Sequence, residues 1–307
     1  MADLKLKDLR YLVAIADTRH FGRAAERCFV SQPTLSAQLK KLEEYLGVQL
    51  IERQPRRVTL TEAGEEIVAR SREMLQTGEE VLELARSHRD PLAGRLRVGL
   101  IPTVGPYLLP LVAQAARKAL ARLTLLLYEY RTEPLLEKLR AGELDLGILA
   151  LPVDTDGLQR RDLFDEPFLL ALPREHRLAR RATLGIDDIA QEPLLLLEEG
   201  HCLRDQALAV CNRAGAQESQ DFRATSLETL RQMVASGAGI TLLPELACRA
   251  ELTRRGQAGE GGVVVRPFTK PVPSRRVGAV WRTSTARRPA IDALCNTIAE
   301  QVKRSRV

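Results

Sequence analysis

The residues of this chain whose type and spacing best suit chemistry are its five cysteines, Cys28, Cys202, Cys211, Cys248 and Cys295. An odd number of cysteines spread over 307 residues is not the framework of a disulfide-stapled secreted domain, and it favours a reducing compartment. Cys202 differs from the others because it stands at the predicted start of a helix that runs toward Ala214. A helix dipole favours the thiolate there, and the thiolate is the reactive form of cysteine. Cys202 is therefore the candidate nucleophile.

Charged residues surround Cys202 in the sequence. His201 and Arg204 would add positive charge and favour its thiolate, whereas Glu198 and Glu199 would oppose it. The sequence leaves the balance between these influences open.

The sequence lacks the motifs of metal sites, of nucleotide binding and of hydrolase catalysis. The four histidines, His20, His88, His176 and His201, lie far apart, and no Cys-x-x-Cys occurs, so we expect no structural metal. There is no phosphate-binding loop and no Gly-x-Ser-x-Gly elbow, and residues 99–105 lack the dinucleotide fingerprint. We therefore expect no cofactor and no enzymatic turnover.

The first 60 residues predict a winged helix-turn-helix. Apolar spacing predicts helices at 4–19 and 21–29, and Ser31 is a good N-cap for a third helix that ends at Gly47. Short strands at 48–51 and 58–60 would flank an arginine-rich turn, the wing. The third helix of such a unit enters the DNA major groove.

A long helix and an α/β segment follow. Thr61 can cap a helix at 62–89, whose loose apolar stripe (Ala63, Ile67, Met74, Val81 and Leu84) predicts dimerisation. Strands are then predicted at 96–101, 123–130, 144–149, 168–172, 194–197, 241–243, 263–265 and 277–281, with helices between them, including 106–121 and 134–141. This alternation predicts mostly parallel sheets, with ligands bound outside the carboxyl ends of the strands.

We accordingly expect three domains. They are an all-α-type winged helix-turn-helix at 1–60, a linker and dimerisation helix at 61–90, and an α/β regulatory domain at 91–307. The last is long enough for two subdomains, I (about 91–165 and 270–307) and II (about 166–269).

The composition agrees with a globular DNA-binding protein. Hydrophobic residues make up 45% of the chain and charged residues 28%, and the net charge is +6. The first 60 residues are net basic and the linker net acidic, with Lys40, Lys41, Arg53, Arg56 and Arg57 expected on the groove side. Without a signal-peptide core or a long apolar run, we expect a cytoplasmic protein and no membrane partner.

Several runs of the amino-terminal segment form one recognisable pattern: Phe21-Gly22-Arg23-Ala24-Ala25, Val30-Ser31-Gln32-Pro33-Thr34-Leu35-Ser36, Leu42-Glu43, Leu46-Gly47, Leu50-Ile51-Glu52-Arg53 and Leu60-Thr61-Glu62-Ala63-Gly64. This pattern resembles the LysR-type transcriptional regulators. The resemblance implies the same three-part architecture, with a regulatory domain like the two-lobed periplasmic binding proteins. It also implies double-stranded DNA and RNA polymerase as partners, and a homo-oligomer, either a dimer or a tetramer of dimers.

The DNA-contacting residues follow from the same resemblance and from the position of the third helix. They are Gln32, Pro33, Thr34, Ser36 and Gln38 on that helix, and Arg53 and Arg57 on the wing. Leu35, Leu39 and Leu42 should face the core.

Three further stretches resemble the peroxide-sensing members of that family: residues 99–110, 200–207 and 222–230. This narrower resemblance implies that hydrogen peroxide oxidises Cys202 to a sulfenic acid, which Cys211 resolves as a disulfide. It places Thr103, Thr132, His201 and Asp205 around the peroxide and Arg276 as a positive group near the sulfur, and it implies resetting by a thiol reductant such as glutaredoxin. The remaining cysteines are expected to be small packing residues.

The spacing of the two cysteines explains how such a disulfide acts as a switch. Nine residues along a helix separate Cα atoms by about 13.5 Å. A disulfide tolerates about 4.4 to 6.8 Å. If residues 202–211 are helical when reduced, oxidation must unfold part of the helix, with residues 212–221 available to absorb the change.

Two alternatives remain open. The cleft of a LysR-type regulator could bind a metabolite, with both cysteines incidental, and the loss or persistence of the response in Cys202→Ser distinguishes this case. A thiol peroxidase would consume peroxide catalytically, but it has no use for a recognition helix.

Overall fold

The computed structural model describes residues 4–54, 57–190, 192–215, 217–249 and 262–306. The chain divides into two compact units, residues 1–88 and 89–307. No helix of the described residues has the length and hydropathy needed to cross a membrane.

The amino-terminal unit contains the expected helix-turn-helix. Helices α1 (Leu6–Thr18), α2 (Phe21–Arg27) and α3 (Gln32–Leu46) pack around a leucine- and alanine-rich core. The Ser31 hydroxyl accepts the backbone N–H of Thr34 at 3.3 Å, so it caps α3 as predicted. Gly47 ends α3 in the left-handed conformation, with φ of 71°.

The wing is a hairpin of β1 (Ile51–Gln54) and β2 (Arg57–Leu60), with Ile51 opposite Leu60. The first predicted strand was placed too early, because residues 48–50 approach α3 before the strand begins. There the carboxylate of Glu43 accepts the backbone N–H of Leu50 at 2.9 Å and of Ile51 at 3.2 Å. The tip, Pro55 and Arg56, lies outside the described residues.

Helix α4 (Glu62–Arg89) is the predicted long helix. The Thr61 hydroxyl accepts the N–H of Gly64 at 2.9 Å, as expected of a cap. Gly64 must lack a side chain, since a Cβ there would overlap the carbonyl oxygen of Leu50. Met74, Val81 and Leu82 are exposed on this helix, so part of its apolar surface is uncovered in the single chain.

The second unit begins with the predicted strand–helix alternation. Its elements are β3 (Gly94–Leu100), α5 (Gly105–Ala119), β4 (Leu123–Glu129), α6 (Thr132–Arg140) and β5 (Leu146–Leu151). Strand β3 lies between β4 and β5 and is parallel to both. With α9 (Arg288–Arg304), these elements enclose one hydrophobic core, which we call lobe I.

A second core, lobe II, lies between residues 168 and 268. Its described elements are β7 (Pro193–Leu197), α7 (Cys202–Ala214), β8 (Gln217–Ala224), α8 (Leu227–Ala235), β9 (Thr241–Pro244) and β10 (Val263–Pro267). Three short 3₁₀ helices lie at Arg177–Arg180, Ile186–Ile189 and Glu245–Cys248.

Two long strands correct the expectation of mostly parallel sheets. Strand β6 (Leu158–Pro173) runs from the core of lobe I into that of lobe II, and β11 (Ser274–Arg282) pairs antiparallel with both β6 and β5. Strands β9 and β10 also pair antiparallel with β6. The chain therefore leaves lobe I on one long strand and returns on another, which forces an antiparallel pair between the lobes.

Candidate functional site

Cys202 is the first residue of α7, as the sequence predicts. Its half-buried side chain packs against the core of lobe I. Leu203, Ala207 and Val210 of the same helix are buried in the core of lobe II. The sulfur of Cys202 therefore lies at the boundary between the two lobes.

Arg131 joins lobe I to the segment that precedes Cys202. It is the residue before α6, and its guanidinium pairs with the carboxylate of Glu198. Its Nη1 also lies 3.5 Å from the carbonyl oxygen of Glu199. Gly200, with φ of 88°, is so close that a Cβ would lie 3.5 Å from Arg131 Cδ. Arg131 thus compensates the negative charge of Glu198, a role that the sequence did not suggest.

Two buried polar atoms beside this contact have no hydrogen-bond partner in the part of the chain that the structure describes. They are the hydroxyl of Thr132, whose residue is 9% exposed, and Nε2 of His201, whose residue is 6% exposed. A buried polar group without a partner costs about 1–3 kcal/mol. Because Thr132 follows Arg131 and His201 follows Gly200, both orphaned atoms belong to the segments that meet next to Cys202. A small polar molecule would satisfy them.

The surroundings of His201 disfavour a positive charge on its ring. Burial lowers its pKa, and the nearby Arg131 guanidinium lowers it further, against the opposing effect of Glu198. Arg204 is buried, and its Nη1 donates to the carbonyl of Leu197 at 3.2 Å.

Thr103 follows the carboxyl end of β3, and Thr132 follows the carboxyl end of β4. Because these neighbouring strands are parallel, both threonines lie at the same edge of the sheet. Thr103 is 3% exposed. Its hydroxyl accepts Nη1 of Arg275 at 2.9 Å, and its carbonyl accepts Nη2 at 2.9 Å. Thr103 is thus held by an arginine from β11.

Arg276, the predicted positive group of the peroxide site, follows Arg275 on β11. Neighbouring residues of a strand point to opposite faces. Arg275 is buried, whereas the Arg276 side chain is 53% exposed and pairs with Asp165 at 2.8 Å and Asp162 at 3.1 Å. Hydrogen bonding to Asp165 raises the pKa of Arg276. The charged residue that contacts Thr103 is therefore Arg275, a contact that the sequence analysis missed because strand orientation is not visible in it, and the role of Arg276 near the sulfur stays a prediction.

Asp205 and Cys211 complete the predicted set on α7. Asp205 is exposed on the first turn and has no hydrogen bond or ion pair among the described residues. The backbone of Cys211 lies on the same helix, nine residues after Cys202. The Cys211 side chain lies outside the described atoms.

The remaining cysteines are packed, as expected. Burial raises the pKa of Cys28, that of Cys248 to about 12 and that of Cys295 to about 11. Such thiols are poor nucleophiles at neutral pH. In the part of the chain that the structure describes, no group of three or more His, Cys, Asp or Glu residues could hold a metal ion.

The candidate DNA-contacting residues lie at the amino-terminal end of α3. Gln32, Pro33 and Thr34 are exposed, and Ser36 and Gln38 are half-buried. The buried side of the helix carries Leu35, Leu39 and Leu42, which confirms the predicted core face. The side chains of Arg53 and Arg57 lie outside the described atoms.

Comparisons with known proteins cover both units. Residues 6–65 match the bacterial regulatory helix-turn-helix model of the lysR family, and residues 89–303 match the LysR substrate binding domain. The chain is 47% identical over 295 residues to the DNA-binding transcriptional dual regulator OxyR of Escherichia coli, covering 96% of this chain and 95% of that protein. It is 45% identical over 300 residues to a hydrogen peroxide-inducible genes activator of Pectobacterium carotovorum, covering 98% and 97%.

Solved structures of OxyR proteins are also similar to this chain. A full-length Pseudomonas aeruginosa OxyR, in a cysteine-to-aspartate variant, has a TM-score of 0.75 at 42% identity and covers 97% of this chain and 95% of that one. A cysteine variant of Corynebacterium glutamicum OxyR with hydrogen peroxide bound has a TM-score of 0.66 at 34% identity, covering 99% and 94%. The chain belongs to the LysR family of DNA-binding transcriptional regulators, among its OxyR-type members.

Proposed function

We propose that this regulator senses hydrogen peroxide at Cys202, converts the signal into a Cys202–Cys211 disulfide, and thereby controls antioxidant-defence genes. The observation that carries this proposal is the position of Cys202. It starts a helix at the boundary between two cores, and the adjoining segments carry two buried polar atoms, of Thr132 and His201, without a hydrogen-bond partner among the described residues. The relatives described as hydrogen peroxide-inducible activators support the choice of peroxide over a metabolite.

The proposed chemistry is a two-electron exchange. The Cys202 thiolate attacks one peroxide oxygen, so an S–O bond forms, the O–O bond breaks and hydroxide leaves, taking a proton to become water. The Cys211 thiol then attacks the sulfenic sulfur, so the S–S bond forms and a second water leaves. Two thiols are oxidised as one peroxide is reduced, and a dithiol reductant such as glutaredoxin would reverse the change.

The surrounding residues would stabilise the leaving hydroxide. A donor aimed at a developing negative charge accelerates such a step, typically by about 10²- to 10³-fold. The Thr132 hydroxyl and His201 Nε2 are buried and have no hydrogen-bond partner among the described residues, and Thr103 is held by the Arg275 cation. Asp205 lies on the exposed side of the first turn of α7, the turn that Cys202 begins. We propose that these groups surround the peroxide.

The disulfide would act as a switch because α7 cannot accommodate it. Cα atoms nine residues apart on a helix are separated by about 13.5 Å, roughly twice the span of a disulfide. Leu203, Ala207 and Val210 anchor α7 in lobe II. Closing the bond therefore requires part of the helix to unwind and some of these residues to leave their sites.

The output would be a change in DNA binding. We propose that Gln32, Pro33, Thr34, Ser36 and Gln38 read base edges or phosphates, with Arg53 and Arg57 of the wing at the flanks. The exposed apolar residues of α4, Met74, Val81 and Leu82, favour pairing of linker helices in a dimer or a tetramer of dimers. RNA polymerase would be the partner on the promoter.

The test is non-reducing peptide mapping by mass spectrometry of pre-reduced protein after a near-stoichiometric pulse of hydrogen peroxide. We expect a Cys202–Cys211 disulfide within seconds, while Cys28, Cys248 and Cys295 stay free. Cys202→Ser should abolish the response and keep DNA binding, and Cys248→Ala is the matched control that should respond normally. If Cys202 of the wild type remains a thiol, the proposal fails and a metabolite becomes the expected signal.

A further inference from the structure

Glu166 and Arg275 form a buried ion pair in contact with Thr103. They face each other across β6 and β11, in direct register, and both side chains are 0% exposed. Nε and Nη2 of Arg275 lie 2.8 and 2.7 Å from Oε2 of Glu166. The other carboxylate oxygen accepts the backbone N–H of Leu246 at 3.0 Å. Both oxygens of Glu166 are therefore engaged, and its orientation is determined.

The same ion pair orients the remaining N–H groups of Arg275. A guanidinium is planar and presents its donors in a rigid fork, so binding one side of the fork directs the other. The free side of the fork donates to both oxygens of Thr103, with Nη1 on the hydroxyl and Nη2 on the carbonyl, each at 2.9 Å. Glu166 thus determines where Arg275 meets Thr103.

This contact sets the direction in which the Thr103 hydroxyl donates. A hydroxyl has one proton and two lone pairs. One lone pair accepts Arg275 Nη1, so the proton must point away from the cation. Among the described residues, no hydrogen bond donated by this hydroxyl is present. The proton is therefore available to another acceptor, and hydrogen bonding to a cation makes the hydroxyl a stronger donor.

We propose that Glu166 is a positioning residue for peroxide reduction: through Arg275 it commits the Thr103 hydroxyl to donate a hydrogen bond to the peroxide oxygen that leaves as hydroxide. This inference rests on the proposed function. Glu166 does not touch the peroxide. It acts by keeping the Arg275 fork in register with Thr103.

The experiment compares two reactions of Cys202 in the full-length protein. Oxidation by hydrogen peroxide expels hydroxide and benefits from a donor. Alkylation by iodoacetamide expels iodide and needs none. We expect Glu166→Gln to slow the peroxide reaction about 10- to 100-fold, as for loss of a positioned donor, and to change alkylation less than about twofold. A similar slowing of both reactions would indicate a merely structural role and overturn the proposal.

A double-mutant cycle tests the route through Thr103. Thr103→Val should slow the peroxide reaction by a similar factor, and adding Glu166→Gln to it should cause little further loss, because residues in one chain of contacts are not additive. Full additivity, or an unimpaired Thr103→Val, would overturn the proposal. Arg140→Gln, which breaks the exposed ion pair with Asp154, is the control and should react at the wild-type rate.

A second variant removes the risk that a lone buried charge unfolds the protein. Glu166→Met combined with Arg275→Met replaces the pair by apolar side chains, which folded proteins often tolerate. We expect it to match Thr103→Val in both reactions, and a wild-type peroxide rate would overturn the proposal. If wild-type Cys202 itself does not react with peroxide, the proposed function fails. If it reacts and Glu166→Gln reacts equally fast, only the positioning role fails.

Discussion

Arg131 and Glu198 form an ion pair that joins the two lobes. Arg131 precedes α6 in lobe I, and Glu198 lies in the segment that precedes Cys202 in lobe II. Removing the cation should raise the pKa of the neighbouring His201, because Arg131 lowers that pKa and Glu198 raises it. We expect Arg131→Gln to show this rise in an NMR titration of the His201 ring. Arg140→Gln serves as the control. Arg140 lies at the other end of α6, and its substitution breaks a comparable ion pair with Asp154. An unchanged titration in Arg131→Gln would contradict the electrostatic coupling.

The stability of the regulatory unit should depend on the protonation of His201. Burial lowers its pKa in the folded state below the usual 6.5, so between the two values the unfolded chain holds a proton that the folded chain does not. The contribution is fully present above about pH 6.5 and is lost as the pH falls through the lowered pKa, by at most about 1.4 kcal/mol per pH unit. Urea unfolding of wild type and His201→Asn across this range measures it. A variant as pH-dependent as the wild type would exclude His201 as the source.

Helix α7 should lose protection when the protein is oxidised. Because the disulfide cannot span nine helical residues, backbone amides of residues 203–210 should exchange with deuterium faster after peroxide treatment. Helix α9, which lies in lobe I, is the internal control and should not change. Equal protection of α7 in both states would show that the helix stays intact and that another element carries the switch.

Cysteine reactivity should separate into two classes. Burial raises the pKa of Cys248 to about 12 and that of Cys295 to about 11, so their thiolates are scarce at neutral pH. We expect a limiting thiol reagent to label Cys202 at least tenfold faster than either residue in the folded, reduced protein. Labelling in denaturant should remove the difference. Fast labelling of Cys248 in the folded protein would contradict its burial.

The salt dependence of binding should distinguish DNA contacts to base edges from contacts to phosphates. Gln32→Ala should weaken binding to the preferred operator by about 1–3 kcal/mol with the salt dependence unchanged, if the amide reads a base edge. Lys40→Ala should weaken binding to all sequences and reduce the salt slope by about one, if the ammonium contacts a phosphate. Fluorescence anisotropy at several salt concentrations distinguishes them, with Lys118→Ala in the other unit as the control.

The sequence predicted those parts of the molecule that depend on neighbouring residues. Ser31 caps α3, Thr61 caps α4 and Cys202 begins α7, because capping and helical periodicity act over a few residues. The order β3–α5–β4–α6–β5 followed from the same local signals. The first half of β6 and all of β8 were missed, since their sequences are polar and adopt strand conformation through pairing with β11 and β7.

Only the tertiary structure decided the contacts between segments that are distant in the sequence. Arg275 rather than Arg276 meets Thr103, because strand register selects the face and a shift of one residue reverses it. Arg131 compensates Glu198 across the boundary of the lobes, a pairing that no local pattern announces. The sequence by itself identified Cys202 as the candidate nucleophile at the start of a helix. The packing of two lobes around β6 and β11 decided which charges and hydroxyls contact one another, because electrostatic and hydrogen-bond partners depend on distance in space rather than along the sequence.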